Sequence, residues 1–194
     1  MLEVAQVKAQ GFITILDVDS NDNVLSTVFE THNDIHFENL SYAIVKSLGN
    51  KPTGPINWLY LGNGGSVVNA LGEVSYQTPN VDGQGADLYN TTYYKIVDNL
   101  NTSNTDPTNN FMTVSHTTGN LYSDLTVTCT LDYGEPTGQN LTDTTSTTEG
   151  SYTFDEIGLK DYDGNLLTHA IFSPLTKSLN RRFKFIYKIR IQMV

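Results

Sequence analysis

Asp17-x-Asp19-x-Asn21 places oxygen-bearing side chains at the first, third and fifth positions of a calcium-loop pattern. The sixth position is Asp22, where that loop needs a turn-making glycine, and the twelfth is Val28, where it needs a bidentate Glu. The cluster therefore reads as a hairpin turn. Gly62-Asn63-Gly64-Gly65 follows an apolar run as a phosphate cradle would, yet neither G-x-G-x-x-G nor Lys-Ser/Thr completes it, so it reads as a tight turn. His32 and His36 stand four apart at a helix entrance, a spacing at which two imidazoles can share a metal. No third ligand presents itself, none of the four histidines sits in H-E-x-x-H, and a polar cap region is the alternative. Cys129 falls on the inward row of an alternating strand, where a free thiol acts as a small hydrophobe. Asp155 and Glu156 are adjacent, so on a strand they leave by opposite faces, which weakens any glycosidase pair. No G-x-S-x-G is present. The expectation is a protein that is not an enzyme, with no catalytic residue, no metal ligand and no cofactor.

The elements that position these residues are mostly strands. Phe12 to Leu16 and Val24 to Phe29 flank the Asp/Asn cluster as a hairpin. Phe37, Leu40, Ile44 and Leu48 recur at helical spacing, predicting one α-helix over about residues 35–48, capped by Asn33 or Asp34, ended by Gly49 and barred from continuing by Pro52. Ile56 to Leu61 reads as a buried strand. Residues 63–92 and 99–110 are poor in strand pattern, and excursions of that length are functional or ordered by a neighbour; cover by another subunit is expected. Leu125, Val127, Cys129 and Leu131 alternate with threonines, and Phe183, Phe185, Tyr187, Ile189, Ile191 and Met193 alternate through the last strand. Asp163-Gly164 between the apolar runs 152–160 and 166–172 signals a hairpin, and the Thr-rich stretch Gly134 to Gly150 reads as an exposed loop. These patterns give seven to nine strands and one helix. The fold expected is mainly β, an antiparallel β-sandwich or jelly-roll-like barrel with long loops, in a single domain over residues 1–194.

Composition constrains the setting. Of 194 residues, 25 are Thr, 19 Asn and 13 Ser, while charged residues make up 16%, below the usual ~25%. That excludes a coiled coil, a helical bundle and a charge-driven disordered chain. No run approaches ~20 apolar residues, Met1 to Gln10 holds no apolar signal core, and one cysteine makes no internal disulfide, so a cytosolic folding compartment is expected and no membrane partner. The net charge of −10 is uneven: residues 177–194 hold six bases and no acid, and all 21 acids lie before them. An acidic body disfavours nucleic acid, and the aromatics of the last strand lie opposite its bases. Arg181, Arg182, Lys184, Lys188 and Arg190 are the candidate partner interface, a row for an acidic surface of another protein; cross-strand pairing with the chain's own acids is the alternative.

Leu59-Tyr60-Leu61-Gly62-Asn63-Gly64-Gly65 with Leu88-Tyr89-Asn90, and Phe154-Asp155-Glu156-Ile157-Gly158-Leu159, Asp163-Gly164-Asn165-Leu166-Leu167 and Ala170-x-Phe172-x-Pro174 before the terminal aromatic strand, together resemble patterns in structural proteins of tailed bacteriophages. The resemblance covers roughly residues 56–90 and 152–194. It implies a virion component made in the host bacterial cytoplasm and assembled in many copies, most simply a capsid decoration or cement protein that touches the major capsid protein or other virion proteins as a homo-oligomer. A tail, neck or baseplate component is the alternative within that class. A carbohydrate-binding β-sandwich is the alternative outside it, unless Trp58, Tyr60, Tyr93 and Tyr94 are core residues, as their apolar neighbours suggest.

Overall fold

The computed structural model describes residues 6–83, 85–137 and 153–194. The fold is mainly β, with one helix and a large curled antiparallel sheet, consistent with a sandwich. Its strands are β1 (Val7–Val18), β2 (Val24–Ile35), β3 (Ile56–Gly62), β4 (Ser66–Val68), β5 (Val74–Tyr76), β6 (Thr91–Ile96), β7 (Phe111–His116), β8 (Tyr122–Leu131), β9 (Thr153–Asp161), β10 (Leu166–Thr176) and β11 (Phe183–Met193). Nine form one sheet in the order β6-β3-β9-β10-β2-β1-β11-β8-β7, and β4 pairs with β5 apart from it. The eleven strands among the described residues exceed the seven to nine expected. The extra ones, β4, β5, β6 and β7, are three to six residues long and contain no fully buried residue, so they carry too few core-facing residues to show an apolar period.

β10 meets β2 through two residue pairs only, Thr168 with Ile35 and His169 with Asp34. That narrow junction lets the ribbon fold over, and one core cluster draws from both halves: Ile13, Ile15, Val127, Phe185 and Tyr187 on one side, Leu59, Leu61, Ile157 and Leu159 on the other. The far ends of the sheet also approach, since Lys95 Nζ on β6 donates to the Thr130 carbonyl on β8 at 2.9 Å. Cys129 is fully buried and burial pushes its thiol up to about 12, so it stays a packing residue. At the β1–β2 turn the Asp19 carboxylate accepts the Asn21 and Asn23 amides at 2.8 and 2.9 Å, with Asp22 at φ 65°, which is hairpin geometry.

The helix α1 runs Phe37–Leu48 and ends at Gly49 as expected, but its cap is neither Asn33 nor Asp34. Those two residues are drawn into strand pairing, Asn33 with Gly11 and Asp34 with His169. The cap is His36: Nδ1 accepts the Asn39 N–H at 3.2 Å, so Nε2 carries the proton and donates to the Gly83 carbonyl at 2.8 Å. Of the four apolar residues that predict the helix, Leu40 is buried and Ile44 half-buried, while Phe37 and Leu48 are exposed. Lys46 is buried in their place, its ammonium held by Asp161 at 3.1 Å and Asp163 at 2.7 Å. Of the sequence expectations, Met1 to Ala5, residues 138–150 of the Thr-rich loop and Tyr152 fall outside the described residues.

Candidate interaction surface

The adjacent carboxylates Asp155 and Glu156 do work that their spacing hides. β9 is buried along its length, and the Gly62–Gly65 turn crosses its start, so both side chains end on the same segment. Glu156, with no exposed surface, accepts the Gly64 and Asn90 amides on Oε1 at 3.0 and 2.8 Å, and the Tyr89 amide and His169 Nε2 on Oε2 at 2.8 and 3.1 Å. His169 Nδ1 accepts the Asn80 N–H at 2.8 Å, so Nε2 is the donor to Glu156. Asp155 accepts the Gly65 amide on Oδ1 at 2.8 Å and the Ser66 amide and hydroxyl on Oδ2 at 2.9 and 2.6 Å. Burial alone would raise the Glu156 carboxyl, and the hydrogen bonds from His169, Asn90, Tyr89 and Gly64 reverse that and hold it below its ordinary range. Burial outweighs the hydrogen bonds at Asp155 and holds it above. The acceptor positions of Glu156 are filled, so this cluster is a clamp that holds Gly64 to Ser66, Asn80 and Tyr89 to Asn90 of the excursion between β3 and β6.

His32 and His36 do not share a site. His32 is exposed with its ring 4.6 Å from Phe12, whereas His36 is buried at the helix cap. Among the described residues no group of three or more His, Cys, Asp or Glu side chains is placed to hold a metal ion. No helix among them is long and apolar enough to cross a membrane.

The basic terminal strand mostly faces acids of its own chain. Arg181 meets Asp17 at 3.2 Å, Arg182 pairs with Asp22 and reaches Asp132 at 3.3 Å, and Lys184 meets Asp22 at 2.7 Å. Arg190 grips Asp124 with two bonds of 2.7 and 2.8 Å while stacked 3.9 Å over the Tyr122 ring. Lys188 makes no ion pair among the described residues. The expected result is that Arg182→Met, which removes bonds to Asp22, Asp132 and the Asp19 carbonyl, lowers unfolding free energy by about 2 kcal/mol. Lys188→Met stays within about 0.5 kcal/mol in the same denaturant titration.

An unpartnered apolar surface lies elsewhere. α1 carries an outward stripe of Phe37, Val45 and Leu48, the last 82% exposed. Beside it a groove of about 510 Å³ runs between the helix and β7, β8 and β11, lined by Ile44, Leu48, Ile56, Met112, Val114 and Ile191 among others. None of its lining residues is charged and only Ser47 has a polar side chain. A small-molecule site of that size carries a few convergent polar groups to fix orientation; this groove has the chemistry of a protein contact.

The chain matches no family model, no curated protein and no solved structure.

A second exposed feature corrects an expectation. Trp58, Tyr60 and Tyr94 are not core residues: Leu59 and Leu61 take the inward positions of β3, and the aromatics form a ridge on the outer face, with Tyr94 exposed and Tyr93 half-buried on the other side. The rings pack on one another, Trp58 edge-on to Tyr60 at 6.3 Å and Tyr60 stacked on Tyr94 at 5.2 Å. Lys160 Nζ sits 4.4 Å over the Tyr60 ring from β9, on the opposite side of β3 from β6. Tyr60 therefore has both faces covered. Sequence reasoning found the aromatic residues but missed which face they take, and it missed the groove. The exposed apolar residues of α1 were the available signal, hidden because an apolar helical period is ordinarily a core stripe.

Proposed function

We propose that the chain is a non-enzymatic structural component of a tailed-bacteriophage virion, a capsid decoration or cement protein that binds the major capsid protein or other virion proteins in many copies. The observation that carries this reading is the uncharged apolar groove with its exposed helix stripe on an otherwise acidic body rich in Thr and Asn. Such a surface binds polypeptide, a neighbouring copy or a shell protein, and many modest contacts on a repeating shell sum to firm attachment. The loop clamp supports a rigid exterior, since buried carboxylates fix the long excursion without disulfides. The test is co-sedimentation of purified chain with shells assembled from the major capsid protein. Bound chain and a raised disruption temperature are expected. Absence of binding, or shells equally robust without the chain, rejects the role, and density confined to the tail in a particle reconstruction selects a tail, neck or baseplate position.

The aromatic ridge favours a second reading, a carbohydrate-binding module stacking sugar rings on exposed aromatics. With Tyr60 covered on both faces, the ridge offers Tyr94 and the Trp58 edge rather than a flat platform. A glycan array without hits closes that reading.

A further inference from the structure

The two edges of the nine-stranded sheet are treated differently. At β6 the edge holds Lys95, whose ammonium bridges to the Thr130 carbonyl and to Glu135 at 2.6 Å, so that edge carries a charge. β7, Phe-Met-Thr-Val-Ser-His, has no Lys, Asp, Glu or Pro. Charge, proline and cover are the devices by which monomeric proteins blunt a free edge. Among the described residues, one outward amide of β7 is covered: Met112 N–H donates to the Asn99 side chain at 3.2 Å.

That bond fixes the geometry of the rest. Because Met112 N–H points away from β8, alternation along an antiparallel strand turns the N–H and C=O of Val114 and His116 outward as well, and those of Phe111, Thr113 and Ser115 toward β8. Val114 is the central outward residue, 77% exposed, and its side chain lines the apolar groove with that of Met112. An edge with outward backbone groups, an apolar groove beneath it and the Leu48 end of the helix stripe beside it therefore form one neutral corner.

We infer that this corner pairs with the same corner of a second copy, β7 running antiparallel to β7 about a two-fold axis at Val114. In that register Val114 exchanges both backbone hydrogen bonds with the partner's Val114, and each His116 N–H meets the opposite Met112 carbonyl. The self-complementary edge selects a copy of the chain as occupant, and charge permits it. With a net charge of −10, two copies repel over most of their surface, and they meet without like-charge opposition only where the lining is neutral. A two-fold contact also needs a patch that is its own complement, which an uncharged antiparallel edge is. Pairing covers Leu48 and Val114 and leaves the sheet without a free β7 edge. The inference rests on the reading of the chain as a multi-copy building block, and it is tested on the isolated chain.

The experiment is sedimentation equilibrium up to about 100 μM, the range in which a modest protein contact is populated. A mass of twice 21.5 kDa is expected for the natural chain. Val114→Lys puts a charge on the edge and in the groove, and Leu48→Lys puts one on the helix stripe; each weakens dimerisation about tenfold or more. Leu71→Lys, at an exposed position outside the groove, leaves it unchanged. Should Val114→Lys fail to fold, as circular dichroism reports, Leu48→Lys carries the test alone. Hydrogen exchange adds an independent reading, with the Val114 and His116 amides slowed in the dimer relative to the dilute monomer. A 21.5 kDa monomer at every concentration overturns the inference, as does a dimer untouched by both lysines or a mass that climbs without limit. A monomer that still binds shells overturns this inference alone; a dimer that ignores shells overturns the virion reading alone.

Discussion

Glu156→Ala lowers the unfolding free energy by about 3–5 kcal/mol, the cost of stranding several buried donors at once. The carboxylate is the common acceptor for the Gly64, Tyr89 and Asn90 amides and for His169 Nε2, and Glu156 and His169 are both fully buried, so its removal strands the imidazole N–H in the interior and takes the shared partner from three amides. For a chain of this length the loss corresponds to about 10 °C or more in melting temperature. Glu156→Gln keeps the shape but turns an amide N–H₂ toward N–H donors, so it also destabilises. Hydrogen exchange separates this from a diffuse core effect, since the amides of Gly64, Tyr89 and Asn90 speed up in the variant while those of β1 and β11 change only with global stability. Full protection of those amides in Glu156→Ala would contradict the clamp.

Acid gives the same residue a second signature. The Glu156 carboxyl lies below its ordinary 4.5 in the folded chain, so its ionised form contributes stability that is complete above pH 4.5 and is lost as pH falls through the lowered folded value. Asp155 has the opposite sign. Its carboxyl is held above the ordinary 3.8, and its contribution is complete below pH 3.8 and declines as pH rises through the raised value. Natural chain and Glu156→Gln therefore differ most near neutrality and converge as acid neutralises Glu156. A difference in unfolding free energy that stays constant down to pH 2 would contradict the assignment.

Legibility followed sequence distance. β8 and β11 stand out because each is ten or more residues long and packs the apolar row Val127, Cys129 and Leu131 or Phe183, Phe185, Tyr187 and Ile189 into the core, so period two survives in the sequence. The β9–β10 hairpin is announced by Asp163-Gly164, with Gly164 at φ 84°, a left-handed position that glycine occupies without cost. The clamp was invisible because its partners come from positions 64–66, 80, 89–90, 155–156 and 169, and no local period records a contact across such separations. Lys46 was unreadable for the same reason: a lysine on the inner side of a helix looks like a defect until Asp161 and Asp163 arrive from 115 and 117 residues away. The helix itself was read correctly while its faces were not, since Phe37 and Leu48 share the period of Leu40 and only tertiary packing decides which of them is covered.

Gly62→Ala is expected to cost about 3 kcal/mol, at the upper end of what overpacking does. A Cβ at that position would lie 2.4 Å from Glu156 Oε1 and 2.5 Å from the Asn90 carbonyl oxygen. The carboxylate is already pinned by its donors and the carbonyl accepts the Asn63 amide at 3.1 Å, so neither yields without loosening the clamp. Gly85→Ala provides the contrast, because nothing lies within 4 Å of its Cβ; that change is neutral, or slightly stabilising through the unfolded chain. The double variant Gly62→Ala with Glu156→Ala then distinguishes a steric conflict with the carboxylate from a general intolerance of the turn. Removing the Glu156 side chain removes the closer of the two clashes, so the pair costs less than the sum of the single changes, by about 1 kcal/mol or more as expected for residues in contact. Strict additivity in the denaturant titration would mean that the Asn90 carbonyl alone dictates glycine at position 62.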